Sequence, residues 1–258
     1  MALVPCVVTV MTAMKKSPES ADRLDFYCWA ATDIGLVRAG NEDAFATSLQ
    51  PPGAPVSAWE GSLGPEGWSI VADGVGGHNA GGVASELAVE CLRTVLRSDF
   101  SPNELIASID ATNLALYDAM DSRPDLVGMG TTIVGVLLRG PSALLFNIGD
   151  SRAYLHSKGE LQTVSEDHLV AGNQLTKCLG GFSIPTHVDP HIRELAFKKG
   201  DRLLLCTDGL TDELSDAYIS TLMRSDRPAH RLIEAALSCG GRDNITALII
   251  ELRTARDD

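Results

Sequence analysis

Trp68-Ser-Ile-Val-Ala-Asp73-Gly-Val-Gly-Gly-His78-Asn-Ala-Gly-Gly-Val-Ala-Ser85 is the stretch on which the fold of this chain turns. An apolar run from Ile70 to Ala72 stops at Asp73, and Gly74, Gly76, Gly77, Gly81 and Gly82 follow within nine residues. Backbone without Cβ atoms can come close to an ion or a phosphate. A carboxylate at the end of a buried strand, followed by bare backbone, suits a hard metal ion held through oxygen. The same residues equally suit an ordinary strand-to-helix turn capped by Asp73, and this stretch alone does not choose between the two.

Upstream, Phe26 to Thr32 reads as a strand running into an Asp33-Ile34-Gly35 turn, and Asp43 to Ser48 reads as a second strand. Residues 50–67, rich in Pro and Gly, read as a loop. Downstream, Val83, Leu87, Ala88, Cys91, Leu92, Val95 and Leu96 fall on one face of a helix. Ser101-Pro102-Asn103-Glu104 is a capping box with proline at the first helical position, and Leu105, Ile106, Ile109, Leu116 and Met120 continue that second helix's apolar face. Two helices with one apolar stripe each must pack on something, and a sheet is the candidate.

Beyond the second helix, strands dominate. Gly130 to Leu138 and Ala143 to Ile148 are apolar runs, Gly149-Asp150-Ser151 makes a tight turn, and Arg152 to His156 enters a hairpin closed by Lys158-Gly159. Leu203 to Cys206 delivers Asp208-Gly209. Ser215-Asp216 caps a short helix, and Pro228 opens another, carrying Leu232, Ile233, Ala236 and Leu237, that stops at Gly240-Gly241. Asp243-Asn244 leads into a last strand, Ile245 to Leu252.

The chain has 258 residues, enough for one large domain with a substantial core. Its net charge of -13 repels nucleic acid and anionic membranes. The six cysteines show no C-x-x-C spacing, which argues against zinc and for free thiols in a reducing compartment. Residues 1–22 read as a disordered or mis-assigned leader. Ala2 to Met14 is too short to span a bilayer, and Lys15-Lys16 lies on the wrong side for a secretory signal. The chain ends just past its last strand without an apolar tail, so the expectation is a soluble, cytoplasmic, monomeric protein.

Asp73, Asp150, Asp208 and Asp243 each lie beside a glycine or asparagine at the edge of an apolar strand. One such aspartate is a turn former. Four of them, with Glu42 and Arg38, would repel one another if gathered at one rim unless cations sat among them. Arg38 beside Glu42 and Asp43 reads either as a fork for a tetrahedral oxyanion or as a surface salt-bridge cluster.

Arg38-x-x-Asn41-Glu42-Asp43, Asp73-Gly-Val-Gly-Gly-His78, Gly130-Thr-Thr, Gly149-Asp-Ser-Arg152-Ala-Tyr154, Asp208-Gly-Leu-x-Asp212 and Asp243-Asn-x-Thr246 occur in the order and rough spacing of the metal-dependent protein phosphatases. Over Trp29 to Leu252 the chain resembles the type 2C serine/threonine class of that family, in its compact bacterial form. The resemblance implies an α+β fold, a four-layer αββα sandwich of two antiparallel sheets flanked by helix pairs, formed by residues 23–254 as a single domain. It also implies two Mn2+ or Mg2+ ions, with a third, weaker one in bacterial relatives, and hydrolysis of phosphoserine and phosphothreonine by direct attack of a metal-bridging hydroxide.

Carried over residue by residue, Asp73 and the Gly74 carbonyl, Asp208 and Asp243 become metal ligands. Glu42 acts through water, and Asp150 with Asp208 serves the third ion. Arg38 grips the phosphate, while Asp43 and Asn244 support the ligands by hydrogen bonding. In animal relatives a histidine directly follows the Asp-Gly pair as the favoured general acid; here that place is Val75, and His78 comes three residues later. His78 is therefore a candidate for orienting the loop or relaying a proton. His168 matches a structural segment of the family, and His187 and His191, broken up by Pro185 and Pro190, read as surface loop.

Only six residues separate His168 from Leu175, where many bacterial relatives carry a longer helical flap, so a more open cleft acting on small phosphoesters as well as phosphoproteins is expected. The implied partners are the phosphoprotein substrates of a serine/threonine kinase. The alternatives are a catalytically weak scaffold of the same fold and an anti-sigma-antagonist phosphatase of the stress-response branch. That branch usually lacks the arginine and the Gly-Asp-Ser-Arg turn.

Overall fold

In a computed structural model of the protein, residues 24–51, 57–76, 80–171 and 174–254 are described; the expected leader (residues 1–22) and His78 lie outside them. The strands in chain order are β1 (Leu24–Asp33), β2 (Asp43–Thr47), β3 (Ala58–Ser62), β4 (Trp68–Val75), β5 (Gly130–Thr131), β6 (Ile133–Arg139), β7 (Ser142–Ile148), β8 (Arg152–Ser157) and β9 (Glu160–Thr163). They continue with β10 (Leu169–Val170), β11 (Gln174–Leu175), β12 (Leu179–Gly180), β13 (His191–Ala196), β14 (Arg202–Cys206) and β15 (Ile245–Thr254). The α-helices are α1 (Ala80–Val95), α2 (Pro102–Ser122), α3 (Asp208–Thr211), α4 (Asp216–Leu222) and α5 (Pro228–Cys239).

One sheet runs β3-β1-β15-β14-β8-β9 and the other β12-β5-β4-β6-β7-β13, with β2 also paired to β4. Every pairing is antiparallel. Alternate residues of each central strand point to opposite faces. On β4, Val71 enters the core between the sheets, whereas Ile70 and Ala72 enter the core under α1 and α2. On β15, Leu248 and Ile250 lie between the sheets, whereas Ala247 and Ile249 lie under α5. Three apolar layers therefore separate four layers of structure, the αββα sandwich that the family resemblance implied. Strands buried on both faces read as unbroken apolar runs, which is why β14 and β15 were visible in the sequence.

The α2 capping box forms as expected: Ser101 Oγ accepts the Glu104 N–H at 3.3 Å, and Glu104 Oε2 accepts the Ser101 N–H at 2.8 Å. Four readings are corrected. The Pro- and Gly-rich segment contains β3, an edge strand on β1 whose Glu60, Gly61 and Ser62 carry little strand signal. The run from Gly130 is two strands broken at Thr132. The buried face of α1 is Ala80, Gly81, Ala84, Ser85, Ala88, Val89 and Leu92, a small-residue stripe that lets the helix lie close to β4, so Val95 points outward. His191 opens β13, pairs with Asn147 and meets Glu166 at 3.3 Å; His187 remains an exposed loop residue, 2.8 Å from Asp110.

Candidate active site

Asp73 lies two residues inside β4 rather than at its end, directly across the ladder from Asp43 of β2. Alternation from Val71 and Phe45 puts both carboxylates on the face that looks at the other sheet. Thr32, Thr207 and Thr246 of that sheet line the same end of the gap. Thr207 and Thr246 donate hydroxyl hydrogen bonds to Asp43 Oδ2 at 2.9 and 2.7 Å, and Thr246 and Thr32 share a hydroxyl contact of 2.7 Å. Asp43 is only 9% exposed, and its Oδ1 has no hydrogen-bond partner.

The backbone around Asp73 is held equally closely. Its carbonyl accepts from the Thr131 hydroxyl at 2.8 Å and the Thr132 N–H at 2.9 Å, and its N–H donates to Thr132 Oγ1 at 3.2 Å. Thr132 Oγ1 lies 2.7 Å from Ser151 Oγ, linking β4 to the turn that carries Asp150. A Cβ on Gly74 would stand 2.2 Å from the Gly81 carbonyl oxygen and 2.8 Å from that of Glu42, so strand, helix start and loop meet here only because residue 74 is glycine.

Glu42 ends the loop that carries Arg38. Its N–H donates to Asn244 Oδ1 at 2.8 Å, and its carbonyl accepts from Gly74 N–H and Ser85 Oγ at 3.1 and 2.6 Å. Asn244 also donates to the Ile34 and Gly40 carbonyls, stitching that loop to the start of β15. Asp208 opens α3 just after β14. Burial, then the neighbouring charges of Asp43 and Asp208, push the Asp73 carboxyl well above the usual range. Burial and Asp150 push Asp208 up to about 6, and burial pushes Asp43 up to about 7 against the pull of Thr246 and Thr207. Asp150 is also raised, by burial first and then by Asp167 and Asp212.

The gathering of four aspartates is thus partial. Among the described residues no three His, Cys, Asp or Glu side chains form a ready-made ligand cluster. Asp243 instead directs Oδ2 at Arg38 Nη2, 2.5 Å away, in an ion pair that is half exposed. Uncompensated carboxylates repel, and a guanidinium beside one of them relieves part of that repulsion. Among the described residues the candidate donors are all oxygen. With the orphaned Asp43 Oδ1 and the Cβ-free approach at Gly74, they fit hard divalent cations.

The threonines and Ser151 were missed by sequence reasoning, although Gly130-Thr-Thr and Asp243-Asn-x-Thr246 carried the signal: a hydroxyl beside each acidic strand end. The Cys91 to Arg97 spacing is that of a phosphate-binding cysteine loop. It carries no such site. Cys91 lies in mid-helix with its thiol pushed up by burial and Glu90, and Arg97 pairs with Asp99 at 2.9 Å. His168 holds the Asp150 turn, accepting the Gly149 N–H on Nδ1 at 3.0 Å.

The protein phosphatase 2C family matches residues 58–246. Over 245 residues the chain is 36% identical to the serine/threonine protein phosphatase PstP of Mycobacterium tuberculosis, covering 86% of this chain and 44% of that protein. It is 31% identical over 247 residues to the serine/threonine phosphatase stp of Listeria monocytogenes, covering 85% of this chain and 93% of that one. The catalytic domain of PstP, solved in complex with two manganese ions, superposes with a TM-score of 0.73 at 34% identity over 89% of this chain and 99% of that one. The chain spans less than half the length of PstP, yet nearly all of its catalytic domain. It belongs to the protein phosphatase 2C family.

Proposed function

We propose that the chain is a metal-dependent serine/threonine protein phosphatase. The observation that carries this reading is the pairing of Asp43 and Asp73 across β2 and β4, opposite Asp208, at the open end of the inter-sheet core. Asp73, the Gly74 carbonyl, Asp208 and Asp243 would hold two Mn2+ or Mg2+ ions, with Glu42 acting through water and Asp150 joining Asp208 at a third. Two such ions would lower the pKa of bound water and neutralise charge on the phosphoryl group.

The protein's own residues do the rest. Arg38, half exposed and free to turn away from Asp243, supplies a planar fork for two phosphoryl oxygens. Asn244 fixes the loop that carries Arg38 and Glu42 relative to β15. The threonine hydroxyls hold Asp43 Oδ2 in one orientation, and Oδ1 is left without a hydrogen-bond partner. His78 stays a candidate for orienting the glycine loop or relaying a proton to the leaving group.

Residues 23–254 form the single catalytic domain, monomeric and cytoplasmic, acting on kinase-phosphorylated proteins. No helix among the described residues is long and apolar enough to cross a membrane. In place of a longer flap, Leu169–Val170 and Gln174–Leu175 form the short β10–β11 pair, and we assign to that open edge the tolerance for small phosphoesters. Release of phosphate from a phosphothreonine peptide is expected with Mn2+, with loss on EDTA treatment and a fall of at least ~10³-fold in Asp73→Asn. Hydrolysis undiminished by chelation would refute the assignment.

A further inference from the structure

At the far end of the same sandwich, on the outer face of the β3–β9 sheet, a cleft of about 450 Å³ opens between β8, β14 and α4. Three of the chain's six lysines line it. Lys158 sits at the tip of the β8–β9 hairpin, whose turn is fixed by positive φ at Lys158 (53°) and Gly159 (87°). Lys198 and Lys199 sit on a second fixed turn, closed by Asp201 N–H to the Lys198 carbonyl at 2.9 Å and by Lys198 N–H to Asp201 Oδ2 at 2.8 Å. Arg224, past the end of α4, faces them. None of these four cations makes an ion pair among the described residues.

The other charged groups of the cleft are already engaged. Arg202 bonds to Glu251 at 3.2 Å and to the carbonyls of Met223 and Ser225, and Asp201 accepts from Ser157 Oγ at 2.6 Å. A second observation is independent of the lysines. His156 lies in the wall opposite Arg202 on the ladder, only 6% exposed, and its Nε2 has no hydrogen-bond partner. A buried ring nitrogen without a partner is costly, and burial with Arg224 and Arg202 keeps the imidazole neutral. In a chain of net charge -13, cations left unpaired and converging from three segments mark a place for an anion.

We propose that this cleft binds a phosphate group. A tetrahedral oxyanion of charge near two offers acceptors in several directions, matching point-charge lysines better than a two-oxygen carboxylate does. Six residue steps along β15 lead from Ile245, at the active-site end, to Glu251 here, about 20 Å at the rise of a strand. The site is therefore distinct from the active site and does not depend on the proposed activity. The phosphate is either free or carried on a side chain of a protein bound across the sheet.

The test uses the full chain carrying Arg38→Ala, so that the active site's own phosphate grip is removed, and reads the imidazole NMR signals of His156, identified by His156→Gln. Inorganic phosphate, a phosphothreonine peptide and the same peptide without phosphate are titrated at constant ionic strength. The expected result is a saturable shift with inorganic phosphate at roughly 1 mM or tighter, weakened at least ten-fold in Lys198→Glu/Lys199→Glu. Tighter binding of the phosphopeptide identifies a docking site, and equal or weaker binding identifies free phosphate. A linear, non-saturating response, or one unchanged by the charge reversal, overturns the proposal.

Discussion

Strands β8, β14 and β15 begin and end in different chemistry. At one end Asp150, Asp208 and Asp243 flank them, and at the other Lys158, Lys198 and Lys199 do. The lysines are exposed, so water solvates them and their crowding costs little. Asp43, Asp73, Asp150 and Asp208 are wholly or largely withdrawn from water, and burial is the first cause of their raised pKa. Equal densities of charge thus weigh very differently on the fold. The acidic end is where stability is sacrificed for chemistry, and its hydroxyl network is built to hold groups that would otherwise part.

Substitutions at the two ends should separate these roles. The largest effect belongs to Asp73→Asn, which removes one of several repelling buried charges. Beside its loss of hydrolysis, the metal-free protein should gain about 1 kcal/mol, or roughly 2–4 °C in Tm; a fall in Tm would show that Asp73 is a structural residue instead. Asn244→Ala comes next, since it strands the Glu42 N–H and the carbonyls of Ile34 and Gly40. It should cost about 2–3 kcal/mol in urea unfolding and roughly 10–100-fold in activity.

His168 has a smaller effect with a definite sign. Burial, then Lys177, depress its pKa below the ordinary 6.5, and its Nδ1 accepts a hydrogen bond only while unprotonated. The stability it contributes is complete above pH 6.5 and is lost as pH falls from there toward the lower folded-state value. Between pH 7 and 5 the wild type should lose about 1 kcal/mol more than His168→Asn, whose amide oxygen accepts at every pH. At the basic end, Lys198→Glu/Lys199→Glu should leave stability within about 0.5 kcal/mol and small-ester hydrolysis unchanged.

Much of the fold was legible because the central strands are buried on both faces and α2 carries the cap that local chemistry dictates, Ser101 with Glu104. What escaped was decided by neighbours. β3 is a strand because β1 offers an edge, and α1 is rotated because Gly74 and Gly81 must touch. Asp73 was legible as a ligand candidate, yet its place inside β4 and its pairing with Asp43 depend on register, which no local pattern encodes. The Arg38–Asp243 ion pair joins residues 205 positions apart and has no sequence signature.

Divalent cations are what the acidic end is proposed to hold. Titration of the metal-free protein with Mn2+, counted by calorimetry, tests this most directly. The wild type should take up at least two ions per chain, and both Asp73→Asn and Asp208→Asn should lose measurable binding at the same concentrations. No uptake by the wild type, or uptake unchanged in both variants, would contradict it.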